Sequence, residues 1–149
     1  MRADLSRGLL DTNIMILREW VHPAELPDEM AISAITLAEL SAGPHLVRPD
    51  VADYEEHVER ARRIDVLQRA ENEFDPIPFG ADSARIYGRL TASLAGIGRT
   101  PRRRAADLMI AATAVAEGLV LYTTNPDDFK GLEGDVTVVA VTRPTIPDA

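Results

Sequence analysis

The chain has 149 residues, 46% of them hydrophobic, and carries 16 Lys or Arg against 24 Asp or Glu, for a net charge of −8. That length suits one domain with one core, spanning residues 1–149, and the apolar share excludes disorder as the overall state. No apolar run approaches the roughly 18 residues of a membrane span, the first residues lack a secretory leader pattern, and the absence of cysteine excludes disulfides, thiolate catalysis and Cys-ligated metals.

Gly8-Leu9-Leu10 reads as a buried strand end. Asp11-Thr12-Asn13 then offers cap residues, with Ile14, Leu17 and Trp20 or Val21 at helical spacing. Met30-Ala31-Ile32 is a second strand, followed by a helix start at Ser33 or Thr36 and a stop at Gly43-Pro44. Val51, Tyr54, Val58, Ala61, Ile64, Leu67 and Ala70 mark the apolar stripe of a long helix with Glu and Arg outward. Residues 75–80 form a turn-rich connector with room for one short strand. Ala84, Tyr87, Leu90, Leu94 and Ile97 mark the next helix, and residues 102–117 an Ala-rich one that stops at Gly118. Strands follow at 119–123 and 136–141, separated by the turn Thr124-Asn125-Pro126-Asp127-Asp128. The core is expected over about 8–142, with a loose tail beyond. Short apolar strands alternating with amphipathic helices predict an α/β fold, a parallel sheet covered by helices on both faces.

Ligands of such a sheet bind at the carboxyl ends of its strands. Asp11 ends the first strand, Glu39 lies a turn or two after the second, and Asp127 and Asp128 follow Tyr122-Thr123. Asp107 sits inside Ala105-Ala106-Asp107-Leu108-Met109-Ile110-Ala111-Ala112, where an unpaired carboxylate is costly. Each acid also has a purely structural reading. Asp11 suits a helix cap, Glu39 completes a capping box with Thr36, Asp127 and Asp128 suit a turn, and Asp107 suits pairing with a nearby Arg. Together, several carboxylates converging on one point repel unless a proton or cation lies among them, and all-oxygen donors select hard ions such as Mg²⁺ or Mn²⁺.

The order Leu9-Leu10-Asp11-Thr12-Asn13, Ser33 through Gly43, Asp107 through Ala114, and Tyr122 through Phe129 resembles the PIN-domain family, and within it the VapC-type ribonuclease toxins of bacterial toxin–antitoxin pairs. The resemblance covers nearly the whole chain. It implies a PIN-like three-layer sandwich with a five-stranded parallel sheet. It implies Mg²⁺- or Mn²⁺-dependent endonuclease activity on structured RNA such as tRNA or rRNA; the lack of cysteine separately suggests a reducing cytoplasm. It also implies a homodimer, and a larger assembly with a VapB-like antitoxin whose basic tail blocks the site. Carried over by motif, Asp11 and Asp107 are the two central metal-binding acids and Glu39 the acid of the Glu-Leu pair. Asn125 and Asp128 both stand where the family places a fourth acid; Asp128 keeps a charge and precedes Phe129, which favours it. Thr12, Asn13 and Thr123 match polar positions beside the metal. One ion or two fits the sequence equally.

Fifteen of the sixteen basic residues are Arg. Arg99, Arg102, Arg103 and Arg104 precede the Asp107 helix, where cations are electrostatically disfavoured, so an RNA phosphate or a local carboxylate is their expected partner. A haloacid-dehalogenase-like phosphatase would need an acid where Asn13 stands and a Lys upstream of the acidic pair, whereas the single Lys, Lys130, lies downstream. A catalytically inactive PIN-like binding module is the non-enzymatic alternative. His22, His45 and His57 read as surface residues.

Overall fold

Leu9 and Leu10 are both fully buried, yet on opposite faces of one strand. That follows from the alternation of side chains along a strand when helices cover both faces of a sheet. In the computed structural model, which describes residues 4–49, 53–98 and 104–147, this strand is β1 (Arg7–Leu10). It pairs in parallel with β2 (Glu29–Ala31) on one side and with β3 (Val120–Thr123) on the other; β3 pairs in parallel with β4 (Val138–Ala140). The sheet order is β2-β1-β3-β4. Consecutive strands β1 and β2 lie side by side, and β3 adds to the far edge of β1. The crevice between the carboxyl ends of β1 and β3 is therefore the switch point of the sheet.

The helices are α1 (Thr12–Leu17), α2 (Ala34–Ala42), α3 (Asp53–Glu73), α4 (Ala81–Gly96) and α5 (Ala105–Glu117). On one face, Leu90 and Leu94 of α4 and Leu108, Ile110 and Ala111 of α5 pack with Leu9, Leu121 and Phe129. On the other, Ile14, Met15 and Leu17 of α1 pack with Leu10, Val120, Tyr122, Leu40 of α2 and Ala70 of α3. Gly118 closes α5 at φ 66°, a left-handed conformation that side chains resist.

The elements differ from expectation at four places. Among the described residues the sheet has four strands, not five. At the place of a fifth, Ile77 alone forms a parallel bridge to Ser33, donating to the Ile32 carbonyl at 2.9 Å and accepting from Ala34 at 2.8 Å. Pro76 and Pro78 flank it and supply no N–H donors, so the ladder stops at one residue. The helix cap of α2 is Ser33, whose hydroxyl accepts from the Thr36 amide at 3.1 Å; Thr36 lies inside the helix and the capping box with Glu39 does not form. Only the C-terminal half of the α3 stripe meets the core: Ala70 is buried, whereas Tyr54, Val58 and Ile64 are exposed. The last strand starts late because Val136 turns back to bond the Leu132 carbonyl at 2.9 Å. Arg99, Arg102 and Arg103, the Val51 position and the end of the tail lie outside the described residues.

Candidate active site

Asp11 is the residue at which β1 stops and α1 begins. Its backbone still belongs to the sheet, donating to the Tyr122 carbonyl at 2.9 Å. Its side chain is 3% exposed, and both carboxyl oxygens are engaged. Oδ1 accepts from the Thr12 amide at 2.8 Å, capping α1, and Oδ2 accepts from the Thr123 hydroxyl at 2.8 Å. The second bond crosses the switch point, because Leu10 lies level with Tyr122 and Asp11 therefore faces Thr123. Thr123 is itself fixed: its Oγ1 accepts from the Asn125 amide at 2.9 Å.

Glu39 reaches the same place from α2. Its Oε1 accepts from the Thr12 hydroxyl at 2.6 Å. Thr12 Oγ1 also lies 3.0 Å from Thr36 Oγ1. A hydroxyl has one proton, so with Thr12 donating to Glu39, Thr36 is the donor to Thr12. Thr36 is fully buried. It was legible in the sequence only as a cap candidate, and its role as the support of the Thr12–Glu39 bond is an addition. The available signal was its spacing: three residues before Glu39, it lies on the same helix face.

Asp107 occupies the first turn of α5, half-buried, and Asp128 the 3-10 turn Pro126–Phe129 that follows β3. Arg104, the residue before α5, bridges them. Its Nη1 donates to Asp128 Oδ1 at 2.9 Å and stands 4.0 Å from Asp107 Oδ2. Asp127 is exposed.

Two of these carboxyls, Asp11 and Asp107, are raised above their ordinary values. Burial pushes the Asp11 carboxyl above its ordinary value, opposed by the bonds from Thr123 and Thr12, with the charges of Glu39 and Asp128 adding to the rise. Burial likewise pushes Asp107 up to about 7; the negative charges of Asp11, Asp128 and Glu39 reinforce the rise, and Arg104 opposes it. Of the other sequence candidates, Asn13 is half-buried in the first turn of α1 and Asn125 half-buried ahead of the Asp128 turn. His22, His45 and His57 are exposed, as their sequence positions suggest. Lys130 is exposed as well.

The donor set fits a hard divalent cation. Every candidate ligand is an oxygen, Asp107 and Asp128 share the Arg104 guanidinium, and burial together with neighbouring negative charge raises the pKa of Asp11 and of Asp107. Among the described residues, no three acidic or imidazole side chains are gathered tightly enough to hold an ion as they stand. Asp107 and Asp128 are turned to Arg104 instead.

A parallel sheet flanked by helices, with acids from the end of β1, the body of α2, the first turn of α5 and the turn after β3, resembles the arrangement of a PIN domain. Residues 9–134 match the PIN domain family model, and the chain belongs to that family. Within it, the chain is 35% identical over 141 residues to Ribonuclease VapC5 of Mycobacterium tuberculosis, covering 93% of this chain and 96% of the relative. It is 28% identical over 134 residues to Ribonuclease VapC1 of Rickettsia felis, covering 85% and 90%. Among solved structures it is similar to VapBC-5 of the VapBC toxin-antitoxin family from M. tuberculosis, with a TM-score of 0.72 and 33% identity over 91% of this chain and 98% of the other. VapBC2 from R. felis, bound to a DNA fragment from its promoter, gives a TM-score of 0.66 and 25% identity over 90% and 98%.

Proposed function

We propose that the chain is the ribonuclease toxin of a VapBC-type pair, a divalent-metal-dependent endonuclease that cuts structured RNA such as tRNA or rRNA and is held inactive by a VapB-like antitoxin. The single observation behind the reading is that Asp11, Glu39, Asp107 and Asp128 stand around one crevice at the switch point, near enough that the other three acids all add to the rise of the Asp107 pKa. The likeness to a VapC ribonuclease and to a VapBC toxin-antitoxin complex supports the toxin assignment.

In this reading Asp11 and Asp107 would hold Mg²⁺ or Mn²⁺, with Glu39 and Asp128 completing the site, and such an ion when bound would supply a water of lowered pKa and offset charge on the scissile phosphate. The chain's own part is positioning. Thr123 and the Thr12 amide fix both Asp11 oxygens, so that carboxylate does not swing. Thr36 and Thr12 hold Glu39 Oε1 at the cleft. Arg99, Arg102, Arg103 and Arg104 supply positive charge for the RNA backbone beside an otherwise acidic chain. The exposed Tyr54, Val58 and Ile64 of α3 give an antitoxin or a second copy apolar surface to cover. We infer a homodimer, a larger complex with antitoxin, and a cytoplasmic setting; among the described residues no helix is long and apolar enough to cross a membrane.

The test is cleavage of total cellular RNA by the purified chain with Mg²⁺, with chelator, and by Asp11→Asn. Cutting that needs both the metal and Asp11 supports the reading. Absence of cutting with RNA still bound favours an inactive binding module. Release of phosphate from a monoester favours a phosphatase.

A further inference from the structure

Arg104 stands where helix physics gives it no reason to be. It is the N-cap of α5, a position at which short polar side chains are preferred and a cation opposes the helix dipole, and it makes no side-chain cap bond. What it does instead is reach into the acidic centre. Its Nη1 lies 2.9 Å from Asp128 Oδ1 and 4.0 Å from Asp107 Oδ2, with its side chain only 29% exposed. It thereby ties the first turn of α5 to the turn after β3, the two elements that bring the third and fourth acids. Both carboxylates point to the guanidinium, and no three acids converge on a common point among the described residues.

We propose that Arg104 is a built-in competitor for the metal: its guanidinium occupies the Asp107–Asp128 end of the centre, and a divalent cation gains those two carboxylates only as Arg104 moves off them. The inference rests on the metal-dependent reading above and deepens it, since it makes the affinity for metal a property set by the chain's own side chain. Arg and a divalent ion want the same oxygens. A planar guanidinium matches carboxylates in geometry and charge, and two cations beside one another repel. Arg104 is therefore a positioning residue of the metal-free protein and an opponent of loading, whereas a purely structural bridge would hold the two ligands in place for the ion and aid it. The two roles predict opposite signs.

The experiment is a Mn²⁺ titration of the purified full chain by calorimetry, comparing wild type, Arg104→Gln, Arg104→Lys and Asp11→Asn. Removing one unit charge beside a divalent ion in a half-exposed site is worth about tenfold in affinity. Arg104→Gln is expected to bind Mn²⁺ about tenfold more tightly than wild type. Arg104→Lys, which keeps the charge, is expected to stay near wild type, which separates charge from any loosening of the loop. Circular dichroism checks that each variant is folded; Arg104 is partly exposed and lies outside both apolar clusters, so substitution leaves the core intact. Equal or weaker Mn²⁺ binding by Arg104→Gln overturns the inference and leaves the metal site standing. No binding to wild type and Arg104→Gln alike, or equal binding by wild type and Asp11→Asn, overturns the metal site itself and the inference with it.

Discussion

Replacing Asp107 by Asn removes one charge from a centre that has too many. Burial and the neighbouring acids raise its pKa from 3.8 to about 7. Between those values the folded chain holds a proton that the unfolded chain has lost, so this group's contribution to stability is full below about pH 4 and falls away as pH rises through 7. Each pH unit between the folded and unfolded values corresponds to about 1.4 kcal/mol, which sets an upper bound of about 4 kcal/mol on the cost of ionised Asp107 at pH 8. A side chain that is 27% exposed sheds part of that cost to water, and about 2 kcal/mol remains after that screening. In a chain of this length that amounts to a rise of about 4–8 °C in melting temperature for Asp107→Asn. The assay is thermal unfolding of wild type and mutant in chelator across pH 4.5–8.5. The mutant is expected to melt higher at pH 8, with the gap closing as pH falls towards 4.5. Adding millimolar Mg²⁺ should raise wild type and leave the mutant nearly still, by mass action on the folded state. A mutant that melts below wild type at pH 8 without metal, or a gap that does not change with pH, refutes the crowded-charge account.

Other perturbations test separate parts of the site. Thr12→Val removes the 2.6 Å bond to Glu39 while keeping the side chain's size; cleavage is expected to fall by about 10–100-fold with the fold intact by circular dichroism, and unchanged turnover would show that Glu39 needs no support. Gly8→Ala places a Cβ 2.5 Å from the Tyr122 ring and 3.0 Å from Pro27, so a loss of about 1–3 kcal/mol in denaturant stability is expected; wild-type stability would mean that β1 and β3 pack differently. Arg102→Ala with Arg103→Ala should weaken RNA binding and flatten its dependence on salt, and an equal salt slope for mutant and wild type would leave those residues without a part in binding.

The sequence made Asp11 and Asp107 conspicuous because each is chemically out of place, one at the end of an apolar strand and the other within an apolar helix. The sheet followed from alternation of elements, and its switch point then located the site. Three things lay beyond that reading, each for a physical reason. Periodicity along α3 reports an apolar stripe but not what covers it, and only the part near Ala70 meets the core. Ser33 and Thr36 are both chemically fit to cap α2; Ser33 does so because its backbone is still extended at φ −88° and ψ 158°, while Thr36 is drawn inside to bond Thr12. Arg104 was visible beside Asp107, three residues away, but its shorter bond goes to Asp128, 24 residues on, and that contact exists only once α5 and the turn after β3 are packed together.

The proposed function makes RNA cleavage depend on Asp11, Glu39, Asp107 and Asp128. Mapping new RNA 5′ ends in cells after induction of wild type, and of Asp11→Asn expressed to the same level, tests it most directly. Discrete new ends in structured RNA are expected with wild type and none with Asp11→Asn. The same new ends with both proteins would contradict that dependence.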